Sequence, residues 1–384
     1  MQLSERGSTS LNIINSELRR EERAIFVLRE LYEQYGYKKY KMSKFEEYDL
    51  YLENKSFLPS QQVITFTDLN GKLMALKPDV TLSIAKNVPS SPKEPEKLYY
   101  NENVYRTPHG SNECREIMQV GLECLGDVDL YSQCEVIMLA CKSLQKLSDD
   151  SLMVVSHMGF VSGLLESCCL PRALEEKILK CIGHKNSHEI VRLCGLAGVS
   201  SGMREALVAL TTLYGTFEET LDKAEKLIKN EKMQNSLMQL RELSNVLSAE
   251  ECSCMRLDFS VINDLTYYNG LIFQGFIDGV PTAILSGGRY DNLMEKLGKE
   301  TQAIGFAVYI DQLEHCDVED ECFDTDVLLL YEPNADIAKL TAAVKMLTAN
   351  GQRVRVQKTR SEKLRYKQLL KLGDGGLEIL ETND

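Results

Sequence analysis

The sequence lacks a long apolar run and an apolar leader, which limits where the protein can act. A helix that crosses a membrane needs about 20 consecutive apolar residues, and no run in the 384 residues approaches that length. The first residues, MQLSERGSTSLNIIN, are polar, unlike a secretory signal. Hydrophobic residues make up 43% of the chain and charged residues 26%, which is enough for a sizeable core. We therefore expect a cytoplasmic protein of two or three domains without membrane contact.

The chain also lacks the spacings that mark a metal site or a catalytic triad. None of its twelve cysteines forms a C-x-x-C pair, and its five histidines form no H-E-x-x-H pattern. We expect no metal and no cofactor, with the cysteines acting as small hydrophobic residues. His184 and His188 have the spacing of a helix face, and we expect the histidines at the surface.

Acidic residues outnumber basic ones over the whole chain, but basic residues are concentrated in one segment. The net charge of −13 disfavours a large nucleic-acid interface. Against this trend, residues 352–371 (QRVRVQKTRSEKLRYKQLLK) carry eight Lys or Arg and one acid, Glu362. A solvated basic helix face is the favoured interpretation, and a contact with nucleic acid or a partner is the alternative.

The hydrophobic pattern divides the chain into β-rich and helical parts. A helix is predicted in SELRREERAIFVLRELYEQYG, followed by short β-rich segments through KLMALKPDVTLSIAKN. KLYYNENVYR and REIMQVGLECLG are predicted to pair as strands. From about 160 to 250 the alternation disappears, which indicates a helical insertion. Strands resume at MRLDFS, LIFQGFIDG and TAILS.

The last part of the chain is predicted to be a separate small unit. An acidic stretch, EHCDVEDECFD, separates residues 1–320 from residues 325–384. The later segment follows a β-α-β-α order, with helices in ADIAKLTAAVKMLTANG and EKLRYKQLLKLG, and ends in the strand GLEIL. This order predicts an α/β unit.

Two patterns place polar side chains where a small ligand could bind. In MQVGLECLG, Gln119 and Glu123 share a strand face on either side of Gly121. In LKPDVT, Asp79 and Thr81 would also share a strand face, and a carboxylate with a hydroxyl suits an ammonium group. An exposed sheet face explains the first pattern as well, and a proline turn explains the second.

The tyrosines and glycines further along suggest more of a pocket. In DLTYYNG, Tyr267 and Tyr268 are expected to point to opposite faces, with one ring in the core and the other at a ligand. SGGRYDNL could be a glycine turn that holds a phosphate before a helix. Asp291 as the N-cap of that helix explains much of the same pattern.

Several of these motifs occur together in an order that resembles the class II histidyl-tRNA synthetase catalytic core. They are GYKKYKMSKFEEYDLY, LMALKPDVTLSIAK, KLYYNENVYR with REIMQVGLECLG, DLTYYNG, SGGRYDNLMEKLG and AIGFAVYIDQL. The resemblance covers about residues 10–315. It implies an α+β fold with an antiparallel sheet flanked by helices, a homodimer, and a truncated anticodon-binding-like unit at residues 325–384.

The resemblance also implies a binding site for L-histidine. Asp79, Thr81 and Gln119 would hold the α-ammonium group, and Glu123 and Tyr268 the imidazole. Arg106 matches the motif 2 arginine that contacts the substrate carboxylate and phosphate, and Tyr290 would close the pocket wall. The full set of candidate ligand-binding residues is Asp79, Thr81, Arg106, Gln119, Glu123, Tyr267, Tyr268 and Tyr290.

The sequence departs from the synthetase where ATP chemistry takes place. Asn263 and Gln312 stand at two positions where the synthetase has arginines. Adenylation needs preorganised positive charge around the phosphates, so the loss of both groups predicts a pocket without its own catalysis. Thr107 also replaces the acid after the motif 2 arginine, and Ser43 the motif 1 proline.

A histidine pocket without adenylation residues is similar to the family of ATP phosphoribosyltransferase regulatory subunits, which are bacterial paralogues of the synthetase. The resemblance implies a non-catalytic subunit that binds a short-form catalytic subunit in a hetero-octamer. That complex carries out and regulates the first step of histidine biosynthesis, and tRNA binding is not expected. An active histidyl-tRNA synthetase and a free-standing histidine sensor are the alternatives.

Overall fold

The computed structural model describes residues 18–54, 61–89, 94–108, 113–262, 267–315, 323–361, 364–373 and 376–383. These residues fall into two compact units. One lies within Arg20–Asp317, and the other is formed mainly by the described part of Val318–Asp384. The predicted boundaries at residues 320 and 325 stay a prediction.

The described part of the first 157 residues supplies four helices and most of the described strands of the larger unit. In chain order the elements are α1 (Arg20–Gln34), β1 (Lys38–Lys39), β2 (Phe45–Glu47), α2 (Tyr48–Glu53), β3 (Gln61–Gln62), β4 (Thr65–Thr67), β5 (Leu73–Leu76), α3 (Val80–Asn87), β6 (Glu96–Pro108), β7 (Arg115–Gly126), α4 (Leu130–Leu147) and β8 (Ser151–His157).

A run of helices follows, and strands then return. The elements are α5 (Met158–Ser167), α6 (Arg172–Gly183), α7 (Ser187–Leu196), α8 (Ser201–Leu210), β9 (Tyr214–Gly215), α9 (Phe217–Glu225), α10 (Glu231–Val246), α11 (Ala249–Ser253), β10 (Met255–Asp258), β11 (Leu271–Ile277), β12 (Leu285–Arg289), α12 (Asp291–Lys296), β13 (Gln302–Tyr309) and a 3₁₀ helix (Ile310–His315). Whether α6 to α10 form a separate insertion domain stays a prediction.

The main sheet is mostly antiparallel. Its order is β1-β6-β7-β13-β12-β11-β8-β10-β9, with β3 paired to β6. Parallel pairing occurs between β1 and β6 and between β8 and β10. The long strands β6 and β7 form an antiparallel pair, as their sequences predict. Strands β2, β5 and β4 form a separate three-stranded sheet.

One face of the main sheet packs on helices and forms the larger core. Phe273 and Phe306 lie in this core, and the ring of Phe306 contacts Tyr32 of α1 edge-on at 5.9 Å. A Cβ atom at Gly275 would come within 2.6 Å of Leu144 of α4, which shows how closely that helix approaches the sheet. The opposite face carries a second apolar cluster, to which helices α3 and α12 contribute.

Among its described residues, the smaller unit has a four-stranded sheet and one helix. The elements are β14 (Thr325–Leu330), α13 (Ile337–Ala349), β15 (Val354–Gln357), β16 (Tyr366–Gly373) and β17 (Gly376–Thr382). The predicted helix in EKLRYKQLLKLG is wrong, because β16 occupies most of that segment. This strand pairs with β14 on one side and β17 on the other. Its apolar residues belong to two separate clusters, Leu370 and Leu372 in one and Tyr366 and Leu369 in the other, so the sequence lacks a simple alternation. The described part of the basic segment is thus largely strand and not a helix face.

No helix in the described part of the chain has the length and apolar character to cross a membrane.

Candidate ligand-binding site

The candidate site lies on one face of the main sheet, around strand β7. Gln119, Gly121 and Glu123 alternate along this strand, and both polar residues are buried. Strand pairing sets Glu123 opposite Gly305 of β13 and Gly121 opposite Ala307. Because Gly121, Gly305 and Ala307 have little or no side chain, little side-chain volume rises from the sheet beside Gln119 and Glu123.

Glu123 has two hydroxyl groups as its hydrogen-bond donors. The Thr81 hydroxyl donates to Oε1 at 2.7 Å, and the Tyr290 hydroxyl donates to Oε2 at 2.6 Å. Burial raises the pKa of Glu123 to about 8, although both hydrogen bonds lower it. At neutral pH the carboxyl group is therefore largely protonated, and it can give that proton to a basic group on a ligand.

The prediction that Asp79 and Thr81 share a strand face is wrong, because LKPDVT leads into helix α3. Asp79 is the N-cap of this helix, and its side chain accepts a hydrogen bond from the backbone N–H of Leu82 at 2.7 Å. Thr81 lies in the first turn, from which it reaches Glu123. The helix start thus brings to the site the two side chains that the sequence assigned to a strand.

Arg106, near the end of β6, faces Asp79. Its Nη2 atom lies 3.7 Å from Oδ2 of Asp79, and its Nε donates to the carbonyl of Pro78 at 2.8 Å. Burial raises the pKa of Asp79, and the charge of Arg106 opposes that rise. A cation and a carboxyl group side by side can pair with the two charges of a zwitterionic ligand.

Three tyrosines line the same region. The ring centroids of Tyr267 and Tyr268 are 4.6 Å apart, and those of Tyr267 and Tyr290 are 5.9 Å apart. The expectation that Tyr267 and Tyr268 point to opposite faces is wrong, because neither lies in a strand and the rings pack on each other. Burial raises the pKa of all three hydroxyl groups, so each stays protonated at neutral pH.

Gly305 and Tyr100, which the sequence reasoning missed, shape the site together with Gly121. A Cβ atom at Gly305 would lie 1.7 Å from Oε2 of Glu123, so the carboxylate occupies space that only glycine leaves. A Cβ atom at Gly121 would come within 2.5 Å of the Tyr100 hydroxyl. Glycine inside a strand was the available signal, since it often marks a close approach.

The glycines of SGGRYD have a similar role. The predicted phosphate-binding turn is wrong, because Gly287 and Gly288 lie within β12 between two paired strands. A Cβ atom at Gly288 would come within 2.6 Å of the Tyr268 ring. Asp291 is not the N-cap of α12 but its first residue, and it accepts hydrogen bonds from Arg289 Nε and the backbone N–H of Ala303.

One histidine contradicts the expectation of surface positions. His157 is buried at the end of β8, where Nδ1 accepts from the backbone N–H of Gly159 and Nε2 lies 3.0 Å from Oε1 of Gln239. Burial lowers the pKa of His157 to about 4. His184 and His188 are exposed, as predicted.

Of the two arginine positions at which the resemblance predicts a departure from the synthetase, the structure describes one. Gln312 lies in the 3₁₀ helix, and its Oε1 accepts a hydrogen bond from the Thr282 hydroxyl at 3.0 Å. Asn263 lies outside the described residues. Across the described ranges, no group of three or more His, Cys, Asp or Glu side chains is arranged to hold a metal ion.

Comparison with known proteins gives one consistent result. The family model for histidyl-tRNA synthetase matches residues 12–313. An ATP phosphoribosyltransferase regulatory subunit from Clostridium acetobutylicum is 30% identical over 345 residues, which cover 86% of this chain and 84% of the relative. The subunit of the same name from Carboxydothermus hydrogenoformans is 31% identical over 301 residues, covering 77% of this chain and 90% of the relative.

A solved structure agrees with these relatives. The structure described as an ATP phosphoribosyltransferase regulatory subunit/histidyl-tRNA synthetase from Bacillus halodurans has 25% sequence identity and a TM-score of 0.74, with 89% of this chain and 90% of that chain covered. The predicted fold class is confirmed, since the fold is α+β and like that of class II aminoacyl-tRNA synthetases. Within that class, the chain belongs to the histidyl-tRNA synthetase-like family of ATP phosphoribosyltransferase regulatory subunits.

Proposed function

We propose that this chain is a non-catalytic, cytoplasmic subunit that binds L-histidine at the Glu123 site. It also binds a short-form ATP phosphoribosyltransferase catalytic subunit, and with bound histidine it permits and feedback-regulates the first step of L-histidine biosynthesis. The relatives are named as regulatory subunits of that enzyme, which supports a catalytic partner. A homodimer within a hetero-octamer is the assembly that the resemblance implies.

The observation that carries the proposal is the environment of Glu123. A buried carboxyl group with hydroxyl donors on both oxygens is held in one orientation at the floor of the site. An imidazole nitrogen can either accept a proton or donate one, so a histidine side chain can pair with either form of this group. Tyr268, packed over Gly288 beside it, is the proposed second contact of the ring.

The other end of the ligand is assigned by charge. The α-ammonium group needs acceptors, and Asp79, Thr81 and Gln119 supply a carboxylate, a hydroxyl and an amide. The ligand carboxylate needs a donor, and the guanidinium of Arg106 lies beside Asp79. Tyr267 and Tyr290 form the wall of the site. All eight candidate residues therefore have a proposed role in binding one zwitterionic ligand.

Histidine binding can be tested by thermal unfolding of the purified chain. A ligand that binds only the folded state at 100 times its Kd stabilises that state by about 2.7 kcal/mol. L-Histidine should raise the melting temperature of the wild-type chain and of the control Glu295→Ala, which removes an exposed carboxylate on α12. Glu123→Ala should show no shift, and Glu123→Gln, which keeps the shape of the side chain, a reduced one. A full shift in both Glu123 variants would contradict the assignment of the imidazole.

Regulation requires the complex. The wild-type chain mixed with a short-form catalytic subunit should form phosphoribosyl-ATP, and L-histidine should inhibit the reaction. Gln119→Ala and Glu123→Gln should raise the histidine concentration needed for half inhibition, whereas Glu295→Ala should not. Inhibition that is unchanged in both site variants would mean that histidine acts elsewhere.

A further inference from the structure

Helix α3, which carries two residues of the site, is held at its far end by one side chain. The ammonium group of Lys299 donates to the carbonyls of Ala85 at 2.5 Å and Lys86 at 2.7 Å, and also to that of Val88. The last carbonyls of a helix have no partner within the helix, and a cation there also interacts favourably with the helix dipole. Lys299 therefore provides hydrogen-bond donors for the last carbonyls of α3 and places a positive charge at the negative end of the helix dipole.

The backbone around Lys299 fixes where that ammonium group lies. Gly298 ends helix α12 with a φ of +71°, in the left-handed region that favours glycine. The N–H of Gly298 donates to the carbonyl of Glu295, and the N–H of Lys299 donates to that of Met294. This is a closed helix C-terminus of the Schellman type, and it directs the residue after the glycine in one defined way.

Helices α3 and α12 are consequently joined at both ends. At the ligand end, Thr81 of α3 and Tyr290, which immediately precedes α12, donate to the two oxygens of Glu123. At the far end, Lys299 reaches from the end of α12 to the end of α3. Between them the buried side chains of the two helices belong to one apolar cluster.

We propose that Lys299 is a positioning residue that sets helix α3, and with it Asp79 and Thr81, for ligand binding. Burial lowers the pKa of Lys299, but three carbonyl partners favour the charged form. Helix α3 has only eight residues, so a shift at its end is not absorbed along its length before it reaches Asp79. The inference deepens the proposed function and rests on it for the identity of the ligand.

The first test needs no ligand. Amide hydrogen exchange is measured on the full chain for the wild type, Lys299→Met, Lys299→Arg and the control Lys296→Met, which removes an exposed charge on α12. The key amide is that of Leu82, which donates to Asp79 at the ligand end. In Lys299→Met, the hydrogen of this amide should exchange about tenfold faster than in the wild type, as expected when one charge-assisted hydrogen bond is lost. Lys299→Arg should restore most of the protection, and Lys296→Met should match the wild type.

The second test measures L-histidine binding by calorimetry in the same four proteins. Lys299→Met should weaken binding about tenfold, with rescue by Lys299→Arg. Unchanged Leu82 protection in Lys299→Met would overturn the inference, since Lys299 would then cap the end of α3 without affecting Asp79 at its start. Equal losses in Lys299→Arg and Lys299→Met would overturn it as well. If the wild type does not bind histidine, the proposed function fails, whereas the exchange rates still decide the role of Lys299.

Discussion

Replacing Glu123 by glutamine should remove one defined part of the pH dependence of stability. An unfolded chain titrates its glutamates near the ordinary pKa of 4.5, whereas burial raises the pKa of Glu123 in the folded protein to about 8. Between these values the folded state holds a proton that the unfolded state has lost. The free energy of unfolding therefore falls as the pH rises. This contribution is complete below the unfolded pKa and is lost as the pH passes through 8.

The size of the effect follows from the difference between the two pKa values. One pKa unit corresponds to about 1.4 kcal/mol, so the loss between pH 5 and pH 9 is about 4 kcal/mol for this single group. That figure is an upper limit, because local opening at high pH would let water reach the carboxylate. His157 also titrates, since burial lowers its pKa to about 4. Its titration changes the free energy of unfolding only below its ordinary pKa of 6.5. The change is the same in the wild type and in Glu123→Gln, so it cancels when the two proteins are compared.

The assay is urea unfolding of the wild type and Glu123→Gln at pH 5, 7 and 9, with exposed Glu295→Gln as the control. Glutamine has the shape of a protonated glutamate and keeps an oxygen that accepts from Thr81. The two proteins should be equally stable at pH 5, and Glu123→Gln should be more stable at pH 9 by up to about 4 kcal/mol. Parallel stability curves from pH 5 to pH 9 would refute the reasoning, because Glu123 would then be ionised throughout.

Two further predictions concern the shape of the site and its chemistry. Gly305→Ala should lower the free energy of unfolding by about 3 kcal/mol or more, because its Cβ would lie 1.7 Å from Oε2 of Glu123. Urea unfolding measures this change. The control is Gly202→Ala, in a helix with open space around the glycine, which should not be destabilised. The purified chain should catalyse no histidine-dependent ATP–pyrophosphate exchange, since the resemblance places Asn263 and Gln312 at positions where the synthetase has arginines. Exchange at a synthetase-like rate would contradict the regulatory function.

The sequence predicts the site best where one strand carries it. Gln119, Gly121 and Glu123 follow the two-residue period of β7, and period alone places them on one face. The two-residue spacing of Asp79 and Thr81 predicts a shared strand face, and that prediction is wrong. An Asp directly before an apolar run is also an N-cap signal, and that signal was the correct one.

Other features depend on contacts between distant segments, which no local pattern contains. Tyr290 donates to Glu123, 167 residues away along the chain. In β16 the apolar residues serve two faces at once, so the period resembles that of a helix. His157 is buried because Gln239 of a helix far along the chain provides its partner.

The geometry around Glu123 also limits how a regulatory signal could leave the site. A ligand shifts an equilibrium only if it binds two states with different affinity, and linkage makes that coupling reciprocal. In the proposed site, Glu123 is the point where α3 and α12 meet through Thr81 and Tyr290. A ligand that pairs with Glu123 adds a partner to a carboxyl group that already accepts from both hydroxyl groups, and each oxygen can accept a second hydrogen bond. We expect that added partner to change the strength of the two hydroxyl contacts and thereby how the two helices are held. Lys299 joins the same helices at the other end, and we therefore expect this helix pair to respond to histidine before any more distant part of the chain.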